Sequence, residues 1–159
     1  MAQEDRKVGR FVDGTNEVIA ALIEVHRHLG PGLLESAYEA CVCAELSERG
    51  LKFERQRPLA INYKGAHLDC GYRLDLVVQD SILLELKAVE RLLPIHEAQV
   101  ITYLRLAGLP VGLLVNFNTA VLRKCSAQTH AQSSKVLPPF RSSCAIQMSR
   151  RLGETRDSP

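Results

Sequence analysis

Two short segments separated by three residues constrain the fold of this chain most strongly. Residues 73–78 (RLDLVV) and 82–87 (ILLELK) alternate charged and apolar side chains with a period of two over most of their length, as half-buried β-strands do. A loop over residues 79–81 would pair Val78 with Ile82 in an antiparallel hairpin. A slip of one residue would bury the charged side chains, so we expect the alternation to define the register.

Counting back along this hairpin places Asp75 opposite Glu85, and Arg73 opposite Lys87, on one face of the sheet. The other face would carry four leucines: Leu74, Leu76, Leu84 and Leu86. Two carboxylates about 5 Å apart repel by roughly 3 kcal/mol at an effective dielectric constant of ~20. A cation must offset that repulsion. The pattern is compatible with a cross-strand network of Arg73 and Lys87, and equally with a bound divalent metal.

The remaining sequence predicts an α/β domain with a mixed β-sheet flanked by helices. Apolar side chains at helical spacing indicate helices over residues 16–29, 33–49 and 95–107, and alternating or apolar runs indicate strands between and after them. The predicted order is α-α-β-β-β-α-β, with a last strand, 111–117, buried on both faces. We expect this domain to span residues 15–118, between a flexible N-terminus (1–14) and a disordered, basic, Ser-rich tail (119–159) that is dispensable for folding.

Composition and charge exclude several classes of protein. The longest apolar runs are far too short to cross a bilayer, there is no apolar leader segment, and five cysteines form no disulfide or zinc pattern, so we expect a cytoplasmic protein without membrane contact. Residues 1–118 carry 13 Lys and Arg against 16 Asp and Glu, whereas residues 119–159 carry 7 against 2. A passive nucleic-acid binder shows a basic face, so contact with nucleic acid has to be argued from a site.

Two helices contribute further polar candidates. Glu35 lies in the first turn of the second helix, three residues from Tyr38 on the same side, although the helix dipole alone also favours an acidic residue there. On the third helix, His96, Gln99 and Tyr103 form a polar stripe, which a solvated helix face would also explain.

Taken together, these residues resemble the GxxExxY protein family, which belongs with the PD-(D/E)XK nuclease superfamily. The resemblance runs from about Thr15 to Asn118. It rests on the motifs Gly32-x-x-Glu35-x-x-Tyr38, Gly71-Tyr72-Arg73-Leu74-Asp75, Glu85-Leu86-Lys87, Pro94-x-His96-Glu97-Ala98-Gln99-x-x-x-Tyr103 and Asn116-Phe117-Asn118.

The resemblance implies a PD-(D/E)XK nuclease-like core and a nuclease, with no established substrate. Our first hypothesis is a nuclease that uses Mg²⁺ or Mn²⁺ to hydrolyse DNA or, as a second choice, RNA. The resemblance also implies that Asp75, Glu85 and Glu35 hold the metal and that Lys87 is the catalytic lysine. Supporting or substrate-contacting roles would fall to Gln99, Tyr103, Tyr38, Arg73 and His96.

Two departures from the family pattern and one alternative function accompany this interpretation. Leu74 replaces the proline of the superfamily signature, and the segment after Asn118 lacks the family's usual final strand. The alternative is a non-catalytic module that binds nucleic acid or protein on a nuclease fold. The acidic core favours this module, or a nuclease to which a protein partner delivers the substrate; a second copy of the chain is another candidate partner. Metal binding at Asp75 and Glu85 would distinguish the two functions.

Overall fold

The computed structural model describes residues 14–128. The elements in chain order are α1 Thr15–Leu29, α2 Glu35–Glu48, β1 Phe53–Tyr63, β2 Ala66–Val78, β3 Ile82–Lys87, α3 Pro94–Ala107, β4 Val111–Asn116 and β5 Arg123–Gln128. Almost all of the predicted flexible N-terminus and the larger part of the predicted tail lie outside the described residues. None of the helices within residues 14–128 is long and apolar enough to cross a membrane.

The strands form one mixed sheet in the order β1-β2-β3-β4-β5. β3 and β4 are parallel and are joined through α3, while the other neighbouring strands are antiparallel. β1 forms one edge, which suits Pro58 because an edge strand can lack one backbone donor. The predicted mixed α/β sheet with flanking helices is therefore confirmed.

Each face of the sheet is covered by its own hydrophobic cluster. One cluster joins α1 and α2 to the sheet, and the other joins α3 to it. Along β3, Leu84 and Leu86 belong to the first cluster and Leu83 to the second, so this strand is buried on both faces. β4 is buried along its whole length, as its continuous apolar run predicted.

The predicted leucine face is only partly correct, because the side chains of β2 do not alternate regularly between the two faces of the sheet around Asp75. Leu76 packs in the α1–α2 cluster with Leu84 and Leu86, whereas Leu74 packs in the α3 cluster. Strict alternation would place Leu74 and Leu76 on the same face. Gln56, which lies level with Asp75 on the paired strand, has a positive φ of 50°. Both strands therefore depart from regular β-geometry at the same level of the sheet.

The predicted register of the β2–β3 hairpin is confirmed close to the loop and wrong further along. Val78 pairs with Ile82, and the ladder continues to Leu76 opposite Leu84, where it ends. The pairing of Arg73 with Lys87 does not form, because β2 and β3 no longer pair beyond Leu76 and Leu84. β2 stays paired with β1 there, with Arg73 opposite Pro58. We call the place where β2 and β3 separate, at the level of Asp75 and Glu85, the β2–β3 fork.

A fifth strand extends the sheet beyond the predicted end of the domain. β5 runs antiparallel to β4, with Val111 opposite Gln128 and Asn116 opposite Arg123. The predicted element order lacked this strand, and the tail was expected to begin at residue 119. The segment was missed because its composition is mixed and polar, and the strand is defined by backbone pairing rather than by apolar periodicity.

We expect a chain that ends at Leu122 to be less stable than one that ends at Gln128. Removing β5 leaves the buried strand β4 without its antiparallel backbone partner. A loss of roughly 2 kcal/mol would lower Tm by about 8 °C in a domain of this size. Thermal denaturation of the two shortened chains, followed by circular dichroism, measures the difference. Equal midpoints would show that residues 123–128 are dispensable for folding.

Candidate active site

At the β2–β3 fork, the carboxylate of Asp75 on β2 is hydrogen-bonded to the backbone of β3. The Asp75 Oδ2 atom accepts a hydrogen bond of 2.9 Å from the backbone N–H of Leu86. Leu86 lies on β3, two residues beyond Leu84, the last residue of β3 that pairs with β2. The Asp75 side chain thus takes the place of the missing strand as partner for this amide. The same bond holds the carboxylate beside Glu85, with which Asp75 interacts electrostatically.

Glu85 is the most buried charged residue of the site. It is 2% exposed, and its Oε1 atom accepts a hydrogen bond of 2.8 Å from Lys87 Nζ. The other carboxyl oxygen, Oε2, is buried without a hydrogen-bond partner among the described residues. Buried carboxyl oxygens are normally paired, so Oε2 is suited to a proton or a cation.

Helix α2 brings a third carboxylate toward this pair. Glu35 is the first residue of α2, and its charge interacts with those of Lys87 and Asp75. Burial of part of the Glu35 carboxyl, the largest cause, raises its pKa, although the residue as a whole remains exposed. Four of the predicted site residues, Glu35, Asp75, Glu85 and Lys87, therefore form one electrostatic group.

Tyr38 supports this end of α2 from inside the core. It is fully buried and stacks on Phe117 with ring centroids 4.5 Å apart. Its hydroxyl donates to the Gly30 carbonyl oxygen at 2.6 Å and accepts from the Leu33 N–H at 3.2 Å. Tyr38 thus fastens the loop that precedes Glu35, and its supporting rather than substrate-contacting role stays a prediction.

Burial raises the pKa values of the three carboxyls in this group, and the ammonium of Lys87 opposes that shift. Desolvation, followed by repulsion from Asp75, raises the pKa of Glu85 to about 7. Desolvation also raises the pKa of Asp75, although the Leu86 N–H and Lys87 oppose this shift. Burial lowers the pKa of Lys87, but its hydrogen bond and attraction to Glu85 outweigh that effect and the net shift is upward. Lys87 therefore stays protonated at neutral pH.

Three other predicted residues lie on α3 and form local contacts. The His96 ring accepts a hydrogen bond from the Leu93 N–H at 3.1 Å and so caps the start of the helix. Gln99 donates to the Tyr103 hydroxyl at 2.8 Å, and Tyr103 packs in the cluster on the α3 face of the sheet. Within residues 14–128, no hydrogen bond or ion pair joins these side chains to the carboxylates.

Arg73 is also separate from the carboxylate group. Its guanidinium donates to the backbone carbonyl of Gln56 at 3.2 Å, and the side chain is exposed. Arg73 therefore does not supply the cation that offsets the repulsion between Asp75 and Glu85. Of the two cations considered from the sequence, Lys87 alone occupies that place in the described part of the chain.

Three neighbours of the site were not identified from the sequence. Glu39, one helical turn after Glu35, is 8% exposed and accepts hydrogen bonds from Arg55 and Gln56, both at 2.9 Å. Gln56 also forms a side-chain hydrogen bond with Asp75. The i, i+4 spacing of Glu35 and Glu39 was the available signal. Nothing in the local pattern points to Gln56, which reaches the site through strand pairing.

Asn116, at the end of β4, is the third such neighbour. Its amide donates to the Val89 carbonyl at 2.7 Å and accepts from the Val89 N–H at 3.1 Å, and it is almost fully buried. These two bonds fix the chain just after Lys87. The Asn116-Phe117-Asn118 motif contained this residue, but only the fold shows that it positions the end of β3.

The carboxylates meet the requirements of a hard divalent cation in part. Asp75 and Glu85 offer two carboxylates, one with a buried oxygen that has no partner. Within residues 14–128, however, no three His, Cys, Asp or Glu side chains form a group that could hold a metal ion, and the ligand set of Asp75, Glu85 and Glu35 stays a prediction. Mg²⁺ commonly takes one or two carboxylates and completes its shell with water and phosphate, so the two-carboxylate arrangement fits it.

Comparison with known protein families agrees with this geometry. The family model described as the PD-(D/E)XK nuclease superfamily matches residues 12–128, which include every described residue. The chain therefore belongs to the PD-(D/E)XK nuclease superfamily. Its version of the signature is Leu74-Asp75 on β2 followed by Glu85-Leu86-Lys87 on β3. No curated protein and no solved structure matches the chain.

Replacing Tyr38 with Phe tests its supporting role. The Tyr38→Phe variant keeps the stacking on Phe117 but loses both hydrogen bonds of the hydroxyl. We expect the free energy of unfolding in urea to fall by about 1–2 kcal/mol. Tyr63→Phe is the matched control, because Tyr63 is 60% exposed and its hydroxyl should contribute little. Equal losses in the two variants would contradict the role assigned to Tyr38.

The raised pKa of Glu85 predicts how stability depends on pH in the absence of metal. A carboxyl whose pKa is about 7 when folded and 4.5 when unfolded binds more protons in the folded state between these values. The free energy of unfolding should therefore fall as pH rises from about 4.5 to 7, by roughly 3 kcal/mol in total.

Urea denaturation with EDTA, at pH values from about 5 to 8, measures this dependence. Glu85→Gln should remove most of the fall, because an amide does not ionise. Glu48→Gln, at an exposed glutamate near the end of α2, should keep the wild-type slope. A Glu85→Gln variant whose stability falls with pH as steeply as that of the wild type would contradict the raised pKa of Glu85.

Proposed function

We propose that this protein is a divalent-metal-dependent nuclease that hydrolyses the phosphodiester bonds of DNA, with RNA as the second substrate to test. The observation that carries the proposal is the buried Glu85 carboxyl, held by Lys87 on one oxygen and without a described partner on the other. Membership of the PD-(D/E)XK nuclease superfamily supports nuclease activity in general. The finer assignment to GxxExxY proteins rests on the sequence motifs.

Charge balance argues against a purely structural network. Glu35, Asp75 and Glu85 contribute three carboxyls, and Lys87 contributes one ammonium, so the group carries a formal charge of −2 when all four ionise. Arg55 adds nothing to this balance because it is paired with Glu39 at 2.8 Å. A network retained only for stability would be closer to neutral, since burying excess like charge is costly. One divalent cation would neutralise the group.

Asp75 and Glu85 would hold the metal, with Glu35 on α2 beside them. When bound there, Mg²⁺ or Mn²⁺ would lower the pKa of a coordinated water and stabilise negative charge on the phosphate. The chain's own residues prepare this site. The Leu86 N–H fixes the direction of the Asp75 carboxylate, and Asn116 fixes the backbone after Lys87.

Lys87 would act on the phosphate. Its ammonium is half-buried, stays protonated at neutral pH and is held by one carboxyl oxygen of Glu85. An ammonium at this place can orient the attacking water and donate hydrogen bonds to the phosphate oxygens as negative charge develops. Lys87 therefore serves the transition state, whereas Asp75 serves cation binding.

Two substitutions separate these roles. Asp75→Asn keeps an oxygen that can accept the Leu86 N–H but removes the charge, so Mn²⁺ affinity measured by calorimetry should fall at least about tenfold. Lys87→Met removes the ammonium that competes for Glu85, so Mn²⁺ binding should persist or strengthen. Cleavage by Lys87→Met should still fall by about 10² or more, the usual effect of losing a group that stabilises the transition state.

Asp80→Asn is the matched control, because Asp80 is an exposed carboxylate in the turn of the same hairpin. Cleavage should be measured on linear and circular DNA, on single-stranded DNA and on RNA, with Mg²⁺ or Mn²⁺ and with EDTA. If the wild type cleaves none of these and Asp75→Asn binds Mn²⁺ as the wild type does, the nuclease proposal is wrong. The non-catalytic binding module would then be the better account.

A further inference from the structure

The long hairpin of β1 and β2 extends beyond the rest of the sheet. β1 and β2 remain paired as far as Tyr63 and Ala66, whereas β3 pairs with β2 only over residues 76–78. We call residues 57–73 the β1–β2 ribbon. Within it, every residue from 62 to 73 is exposed. Because these residues are exposed, the burial of apolar side chains does not explain the extension. An isolated two-stranded hairpin is also only marginally stable.

The β1–β2 ribbon is bent by its own backbone. Leu59 pairs with Tyr72 and Ile61 with Leu68, so three residues of β2, 69–71, lie opposite a single residue of β1. Gly71 has φ +73°, and its N–H donates to Asp69 Oδ1 at 3.0 Å. Bulges of this kind change the direction of a strand and are common beside functional sites.

The base of the β1–β2 ribbon contacts helix α3 and continues along β2 into Asp75. The ring of Tyr72 meets the ring of Tyr103 on α3 edge to face, with centroids 6.1 Å apart. Arg73 lies two residues before Asp75 on β2, which corresponds to about 7 Å along a strand. A polymer held by the ribbon would therefore pass close to the carboxylates.

The charge of the β1–β2 ribbon is opposite to that of its surroundings. The ribbon contains Arg57, Lys64 and Arg73 and a single acidic residue, Asp69. Residues 14–56 and 74–122 together carry 12 acidic and 7 basic side chains. Lys64 lies over the ring of Tyr63 at the tip, 5.4 Å from its centroid, and Tyr63 is 60% exposed. Cations next to exposed tyrosines suit a phosphate backbone, because tyrosine hydroxyls also donate to phosphate.

We propose that the β1–β2 ribbon grips duplex DNA and presents it to the carboxylates, with Lys64 and Arg73 contacting phosphates. A two-stranded β-ribbon fits the major groove of B-DNA, which is about 12 Å wide. The proposal rests on the nuclease function proposed above and identifies the element that holds its substrate. It also explains how a domain whose remainder is acidic approaches a polyanion.

Binding without turnover tests this role. The full-length protein is titrated into a fluorescein-labelled duplex oligonucleotide in EDTA, and fluorescence anisotropy gives Kd at several salt concentrations. Lys64→Ala and Arg73→Ala should each weaken binding about five- to tenfold near 0.1 M salt and reduce the slope of log K against log salt by about one. The control is Arg27→Ala, which removes an exposed cation of α1 and should leave affinity and slope unchanged.

Each other outcome decides one proposal. Affinities of both ribbon variants equal to the wild type, or a wild type that does not bind the duplex, would overturn the role of the ribbon. Tighter binding of the single strand than of the duplex, with the same dependence on Lys64 and Arg73, would overturn the assignment to duplex DNA. A wild type that binds through the ribbon but cleaves no nucleic acid with either metal would overturn the nuclease function and leave the ribbon as a DNA-binding element.

Discussion

The architecture of the site depends on the separation of β2 from β3 at the β2–β3 fork. If the antiparallel ladder continued past Leu76, the Leu86 N–H would be bonded to backbone and Asp75 would be one residue of an ordinary strand. Because the strands separate, the amide needs another acceptor, and the Asp75 carboxylate supplies it. This hydrogen bond lies where the β2–β3 ladder ends and holds a carboxylate beside Glu85.

Ionising the buried Glu85 carboxyl is the least favourable electrostatic step in this arrangement, because the group is desolvated and lies near Asp75. A side chain that is 2% exposed, close to Asp75 and opposed by one ammonium, ionises only near neutral pH. Lys87 on β3 limits this cost, whereas the carboxyl of Glu35 on α2 adds to it. Asn116 of β4 fixes the backbone after Lys87. Sites that bind a cation or stabilise a transition state commonly retain such unfavourable electrostatics, because the ligand relieves them.

The sequence predicted local features of the fold better than features that depend on contacts between distant segments. The hairpin register near its loop and the buried character of β4 were correctly expected, because each follows from side-chain alternation or from a continuous apolar run. The position of Leu74, the isolation of Arg73 from Lys87 and the strand β5 were not. All three depend on how one strand pairs with another, which hydrophobic periodicity does not encode.

The sequence by itself determined the alternation that makes strands of residues 73–78 and 82–87, and the motifs that identify the superfamily. The tertiary structure decided which of the polar side chains meet. Glu35 and Lys87 interact although 52 positions apart in the numbering, and Gln56 reaches Asp75 through the pairing of β1 with β2. The physical reason is that Coulomb interactions and hydrogen bonds act through space over a few ångströms, so they depend on packing and strand register. Spacing along the chain reports only the neighbours on one strand or one helical turn.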